Sequence, residues 1–232
     1  DAVVHAALER SGAGWFGGED VINFTQRNII GSLRLMQEAH DNKVKRFIFI
    51  STCAVHDVIL DDRKLDEAHP LWPVSHYGAH KAAIEKFVHS FGLGKEWDIC
   101  ALRPTGVYGV AQRVERSKWY ETVRKVMDGE KIASKAGGKE VHASDVAKAV
   151  EILLHAPSDS IMGQSFNCYD MYISEQHVAE VAAELTNSKS KIEQINKGPK
   201  HQIDTSKLRA LGMQFGGDKL LEQTVQQMLE HA

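Results

Sequence analysis

The sequence predicts an α/β protein built on a doubly wound parallel sheet with helices on both faces. Three observations carry that expectation. Short apolar runs of strand length alternate with amphipathic stretches of roughly 10–15 residues. The clearest run, Arg46-Phe-Ile-Phe-Ile-Ser51, is apolar at successive positions, as a strand covered by helices on both sides must be. The chain has 232 residues, 43% hydrophobic and 25% charged, which suffices for one large domain or one domain with a small lobe.

Taken in order, Asp1 to Ala7 is a short apolar strand, and the Gly-rich stretch Ser11 to Gly18 is a loop. From about Ile22 to His40 the apolar positions Ile29, Leu33, Met36 and Ala39 recur at helical spacing. The strand at Arg46 to Ser51 follows, then a polar loop with Pro70 and Pro73. Tyr77 to Phe91 is the next helix, with Ala83, Phe87 and Phe91 along one stripe. Asp98 to Arg103 is a strand stopped by Pro104. Lys118 to Met127 reads as a helix, as does Asp145 to His155 with Ser144 as its N-cap. A short strand at Gln164 to Asn167 precedes a helix from Ser174 to Thr186. Two C-terminal helical segments lie at Lys207 to Leu211 and Lys219 to Leu229. In a parallel sheet with right-handed crossovers, the loops after Ala7, Ser51 and Arg103 line one crevice.

Composition removes several function classes. A net charge of -3 gives no electrostatic reason to expect nucleic acid or an anionic membrane as partner. The 12 His are scattered without a close ligand pair, so no metal site is expected. Cys53, Cys100 and Cys168 form no CxxC, and Cys53 and Cys100 lie in or beside apolar runs; buried thiols in a reducing compartment are expected, with the cytoplasm as the default location. The apolar runs are too short to span a bilayer.

The chemistry points to Tyr77-Gly-Ala-His-Lys81. Residues four apart share one helix face, so a Lys81 ammonium would stand beside the Tyr77 phenol and favour the phenolate. A free Tyr titrates near pH 10, so acid/base work near pH 7 needs a depression of about 3 units, roughly 4 kcal/mol. Such a pair alone is common, and its plain reading is a solvated helix face. Thr52, with Ser51 at the carboxyl end of a buried strand, puts a hydroxyl where a substrate would arrive.

In this context the chain resembles the extended short-chain dehydrogenase/reductases of the NAD-dependent epimerase/dehydratase type. The segments that carry the resemblance stand in order: Val3-Val-His-Ala-Ala7, Asn28-Ile-Ile-Gly-Ser32, Phe49-Ile-Ser-Thr-Cys-Ala-Val55, Pro73-Val-Ser-His-Tyr-Gly-Ala-His-Lys81, Leu102-Arg-Pro-Thr-Gly-Val-Tyr-Gly109, Val141-His-Ala-Ser-Asp-Val-Ala147 and Lys207-Leu-Arg-Ala-Leu-Gly212. The resemblance implies a Rossmann-like fold with a small C-terminal substrate lobe, divided into 1–109, the remainder of the dinucleotide-binding domain with the catalytic helix, and 110–232, which forms the lobe and returns to the sheet. It implies NAD or NADP as cofactor, a small-molecule substrate and a homodimer paired through the catalytic helix and the long helix before it. Tyr77 would be the acid/base, Lys81 would lower its pKa and hold the nicotinamide ribose, and Thr52 would bond the substrate oxygen. His5, Ala6, Ala7, Ser51, Pro104 and Val107 would lie along the cofactor. Asn28 would brace the backbone near the site. Arg113, Arg116 and His56 are candidate substrate contacts.

The departures matter as well. The resemblance leads one to expect a Gly-x-x-Gly-x-x-Gly turn on roughly 60–70 residues ahead of Asp1; the Ser11 to Gly18 stretch has neither that spacing nor that place. His56-Asp57 replaces Tyr-Gly, and His80 replaces a Ser and is expected on the helix exterior. His142 is expected to pack at a helix start. Cys53-Ala54 after Thr52, where dehydratases often carry Asp-Glu, favours redox or epimerisation over dehydration. The short span from Val110 to Glu140 favours a compact substrate. The alternatives are a non-catalytic dinucleotide sensor or scaffold, and an inactive fragment of the enzyme.

Overall fold

The computed structural model describes residues 1–9, 20–194, 198 and 201–231. The expected loop from Ser11 to Gly18 lies outside these residues. The chain forms two compact units. The first contains Asp1–Thr105, Lys148–Cys168 and Gln202–Met213; the second contains Gly106–Ala147, Tyr169–His201 and Gln214–Ala232. The chain first leaves unit 1 after Thr105, a few residues before the division at Gly109 expected from sequence, and re-enters it twice. No helix among the described residues is long and apolar enough to cross a membrane.

Unit 1 is a four-stranded sheet in the order β1 (Ala2–His5), β2 (Arg46–Ile50), β3 (Asp98–Pro104), β6 (Gln164–Cys168). All its pairings are parallel, with His5 opposite Phe49, Ile50 opposite Leu102 and Pro104 opposite Cys168. The carboxyl ends of the four strands therefore share one edge. Phe47, Ile48 and Phe49 are all buried, which accounts for the unbroken apolar run in β2.

The stretch expected as one helix from Ile22 to His40 is α1 (Val21–Thr25), a π-helical turn (Gln26–Ile30) and α2 (Gly31–Asp41). Asp20 caps its start by accepting from Asn23 N at 2.9 Å. The helix α3 (His76–Lys95) is capped by Ser75, whose Oγ accepts from Gly78 N at 3.1 Å, and ends at Glu96 in the left-handed region. Met36 and Ala39 of α2 and Ile84 and Val88 of α3 pack on Phe47, Phe49, Ile99 and Ala101, with Trp97 closing the cluster and donating to Val44 O at 2.7 Å. Each of the Met, Ile, Val and Phe side chains contributes about 1.5–3 kcal/mol of burial. Gly92 lets α3 pass the turn before β6: a Cβ there would sit 2.2 Å from Gly163 N.

Unit 2 carries a three-stranded sheet, β4 (Gly106–Tyr108), β5 (Gly137–His142) and β7 (Met171–Ser174), parallel between β4 and β5 and antiparallel between β5 and β7. None of these strands was expected from sequence. Helices α4 (Tyr120–Met127), α7 (Glu175–Thr186) and α9 (Gly217–Leu229) share a core of Tyr108, Val123, Val126, Ile173, Val178, Leu221 and Met228. Trp119 is left-handed, so α4 starts at Tyr120 and not at Lys118. Ser174 caps α7, accepting from His177 N at 3.0 Å. Ser144 is not the cap of α5 (Ala143–His155) but lies in its first turn, its Oγ 2.7 Å from His142 Nδ1. The short helices α6 (Ser158–Ile161) and α8 (Ser206–Ala210) complete the elements of unit 1.

Candidate active site

The site builds up on the carboxyl edge of the unit 1 sheet. Thr52 follows β2 in an extended conformation and caps a 3-10 turn at Cys53–Val55; its Oγ1 accepts from Ala54 N at 3.1 Å. A hydroxyl that already accepts a backbone N–H has its own proton left to donate, which suits it to bind an oxygen. The turn meets the first turn of α3 closely: a Cβ on Gly78 would lie 2.5 Å from Ala54 O. Glycine at 78 thus brings the segments bearing Thr52 and Tyr77 together.

One turn on, Lys81 is buried, and its Nζ donates to Ile50 O at 2.7 Å and lies 4.6 Å from the Phe49 ring centroid. Burial pushes the ammonium down, against the pull of Glu85, to about 8. Among the described residues only one of its three N–H donors is spent, and Glu85, which pulls on its charge, lies beyond ion-pair range. A desolvated cation so thinly partnered suits a site that a ligand's hydroxyls complete; a dinucleotide ribose is one such group, and the residues fit it.

Around this pair the structure places the other candidates unevenly. His5 is buried beside Phe49, with ring centroids 5.8 Å apart, and pairs with Ser32 at 2.8 Å. Ser32 Oγ donates to Asn28 O at 2.6 Å, so it must accept from His5 Nε2–H. Burial, then the Lys81 charge, holds the His5 pKa below its ordinary value, in line with a neutral ring. Asn28 sits buried in the π-turn, a distortion frequent at functional sites. Its Oδ1 accepts from Glu9 N at 2.9 Å, and its Nδ2 donates to Glu9 O and Phe24 O, both at 3.1 Å, which fixes the backbone after β1. Ala6 and Ala7 are exposed just past that strand, and Pro104 is buried at the end of β3.

Three expectations change. The Ser51 side chain is turned into the protein, its Oγ donating to Glu85 Oε1 at 2.5 Å, and the residue is buried. His80 is not exterior: it is 3% exposed, its Nδ1–H donates to Tyr77 O at 3.0 Å, and it stands edge-on to Phe24 at 5.2 Å. His56 turns inward, its Nε2 accepting from Arg103 Nη1 at 3.2 Å. Burial, with the Arg103 charge, pushes the His56 pKa down to about 4, and burial with Lys81 does the same at His80.

Sequence reasoning missed the group that organises these residues. Glu85 is fully buried on α3 and accepts from Arg103 Nη2 at 2.6 Å, Arg103 Nε at 3.0 and 3.1 Å, and Ser165 Oγ at 3.1 Å, besides Ser51. Burial alone would raise its carboxyl; the hydrogen bonds and charge of Arg103, with the two serines, hold it below the ordinary range. Arg103 Nη1 also reaches Glu67 O at 3.3 Å. The available signal was an arginine inside an otherwise apolar strand, which demands a buried acid.

Val107, Arg113 and Arg116 belong to unit 2. Val107 is exposed on β4. Arg113 precedes and Arg116 ends the 3-10 turn Val114–Arg116, and with Ala111 and Gln112 they line a cavity of about 350 Å³. Neither arginine takes part in an ion pair or side-chain hydrogen bond among the described residues. His142 ends β5 and meets the Tyr108 ring edge-on at 5.0 Å.

A parallel doubly wound sheet with a Tyr and a Lys one turn apart on the helix beside its carboxyl edge is the arrangement of the extended short-chain dehydrogenase/reductases. The chain belongs to the NAD dependent epimerase/dehydratase family, whose profile matches residues 1–168. It is similar to human dTDP-D-glucose 4,6-dehydratase, 28% identical over 207 residues that cover 82% of this chain and 57% of that protein. It is also similar to the dTDP-glucose 4,6-dehydratase of Streptomyces niveus, 29% identical over 158 residues, 66% of this chain and 46% of that one. The chain thus spans about half the length of these curated relatives. Among solved structures, RMD from Pseudomonas aeruginosa complexed with NADPH superposes with a TM-score of 0.78 at 18% identity, covering 99% of this chain and 80% of that one. UDP-glucose 4-epimerase of Thermotoga maritima with UDP-glucose gives 0.76 at 21% identity, over 99% and 77%. At these identities the superpositions speak for the fold.

Proposed function

We propose that the whole protein is an NAD(P)-linked epimerase, dehydratase or oxidoreductase that acts on an alcohol or carbonyl carbon of a sugar carried on a nucleoside diphosphate. The observation that carries the reading is the junction at the end of β2, where Lys81 Nζ bonds the Ile50 carbonyl two residues before Thr52 and Tyr77 lies one turn back on the same helix. Bound NAD(P) supplies a hydride acceptor at the carbon that is oxidised. Tyr77 takes the proton from the substrate hydroxyl, or returns it when a carbonyl is reduced. The Lys81 ammonium favours the phenolate and bonds the ribose hydroxyls, and Thr52 donates to the substrate oxygen as charge develops on it. The names of the relatives favour a nucleotide-linked sugar over the compact substrate expected from the short Val110 to Glu140 span. Arg113 and Arg116, which make no ion pair among the described residues and line a cavity of unit 2, suit an anionic group such as a diphosphate. A homodimer through α2 and α3, where Leu35 and Phe87 are exposed, belongs to the same reading.

The test is turnover of UDP- and dTDP-linked glucose with NAD or NADP, read as sugar products by NMR. Tyr77→Phe is expected to fold as the parent does and to lose at least about 100-fold in kcat. A Tyr77→Phe variant with parental kcat would remove Tyr77 from the chemistry and the reading with it.

A further inference from the structure

Ile50, Ser51 and Thr52 are consecutive at the end of β2, and α3 holds two of them from consecutive turns. Lys81 donates to the Ile50 carbonyl at 2.7 Å, and Glu85, four residues on, accepts from the Ser51 hydroxyl at 2.5 Å. The third, Thr52, carries the hydroxyl that faces the reaction in the function proposed above. The same carboxylate reaches β3 through the forked Arg103 contact, at 2.6 to 3.1 Å, and β6 through Ser165 at 3.1 Å. One buried group therefore ties the helix of Tyr77 and Lys81 to three neighbouring strands. Arg103 carries the tie onward: its Nη1 meets His56 Nε2 and Glu67 O, and the Glu67 carboxylate accepts from Asn167 N at 2.8 Å. The loop after Thr52 is thereby held to the same hub.

We propose that Glu85 is a positioning residue of the active site: anchored by Arg103, its carboxylate locks the Ile50–Thr52 strand end in register with α3 and keeps the Lys81 ammonium charged and in place. The inference rests on the catalytic reading of Lys81 and Thr52. What sets this pair apart from other buried salt bridges is its place, one turn from Lys81 and bonded to the residue beside Thr52. A buried forked Arg–Glu pair is geometrically rigid, and a misplacement of about 1 Å at a reacting group costs roughly 100-fold in rate. The titratable groups around Lys81 are His5 on β1, Tyr77, His80 and Glu85 on α3, and Arg103 on β3 behind Glu85; of these, Glu85 is the anion that favours its charge.

Two variants in the full chain test this, with kcat and KM measured beside the Lys81 side-chain titration by NMR of isotope-labelled lysine, assigned by loss of the signal in Lys81→Met. Ser51→Ala cuts the tie to the strand but leaves the Glu85–Arg103 pair and its charge. It is expected to lower kcat roughly 10-fold with KM for sugar and dinucleotide within about twofold, and to leave the Lys81 titration where it is. Glu85→Gln is expected to lower kcat further and to move the Lys81 titration down by roughly one pH unit. Parental kcat in Ser51→Ala, or an unmoved Lys81 titration in folded Glu85→Gln, overturns the proposal. If Glu85→Gln does not fold, Ser51→Ala decides by kcat. If the parent itself turns over no sugar nucleotide, the catalytic reading fails separately, and the titration arm still decides whether Glu85 governs the Lys81 charge.

Discussion

Replacing Lys81 by Met should make the protein more stable at neutral pH. The Lys81 pKa falls from 10.5 to about 8 because burial outweighs the pull of Glu85. A depression of roughly 2.5 pH units means that the charged form costs the folded state about 3 kcal/mol relative to the unfolded chain. Met fills a similar volume and keeps the contact with Phe49, but it leaves the Ile50 carbonyl without its 2.7 Å donor, a loss of about 1–2 kcal/mol. The balance is a gain of about 1–2 kcal/mol for Lys81→Met at pH 7, read by urea unfolding of parent and variant side by side. The pH dependence sharpens the test. Between pH 8 and 10.5 the unfolded chain holds a proton on Lys81 that the folded protein has released, so the parent gains stability relative to the variant as pH rises. The difference between the two, in which other titrating groups cancel, should shrink by about 1.4 kcal/mol per pH unit from pH 8 upward. A variant less stable than the parent at pH 7, with a difference that does not change with pH, would refute the claim that Lys81 is an undercompensated buried charge.

Two further outcomes follow from other groups. Arg46 donates through Nη1 to the carbonyls of Leu153, Leu154 and Ala156 at the end of α5 and pairs with Asp98 at 2.7 Å; Arg46→Ala should cost about 2–3 kcal/mol in urea unfolding, with a charge-conserving Lys recovering only part, since it lacks the fork. His56 and His80 both titrate near pH 4 in the folded state, below their unfolded value of 6.5, so the stability they confer is complete above pH 6.5 and is lost as pH falls towards 4. His80→Gln keeps a donor for Tyr77 O and should flatten the stability curve between pH 6.5 and 4; an unchanged slope would show that His80 is not buried neutral.

The fold of unit 1 was legible because its signals are local and redundant. The apolar run at Arg46–Ile50, the helical spacing from Ile29 to Ala39 and the stripe of Ala83, Phe87 and Phe91 each state one element, and the strands fall where they read. The second sheet was not legible. Gly106–Tyr108 is only three residues long and starts two residues past Pro104, and Gly137-Gly-Lys-Glu-Val-His142 has neither a β-branched run nor clean alternation; tertiary pairing with Met171–Ser174 makes it a strand. The π-turn at Gln26–Ile30 was invisible for a related reason. It is held by the Asn28 amide on Glu9, a contact nineteen residues apart that no helical period encodes. Position also misled: His80 stands where an exterior Ser was expected, yet Phe24 and the Tyr77 carbonyl give a ring a place to pack and to donate.

Lys81 and Glu85 are the informative contrast on α3. Both are buried ions one turn apart, and burial penalises both. Around Glu85 the protein supplies a forked guanidinium and two hydroxyls, so both carboxylate oxygens are fully engaged and the group is held ionised. Around Lys81 the described residues supply one carbonyl and the face of a phenyl ring, and burial leaves the ammonium close to losing its proton. A chain selected for stability alone would complete both shells or remove both charges, since a buried ion pair is rarely worth its desolvation. The completed shell marks the residue that holds the site in register, and the incomplete one marks where a ligand contributes the missing partners.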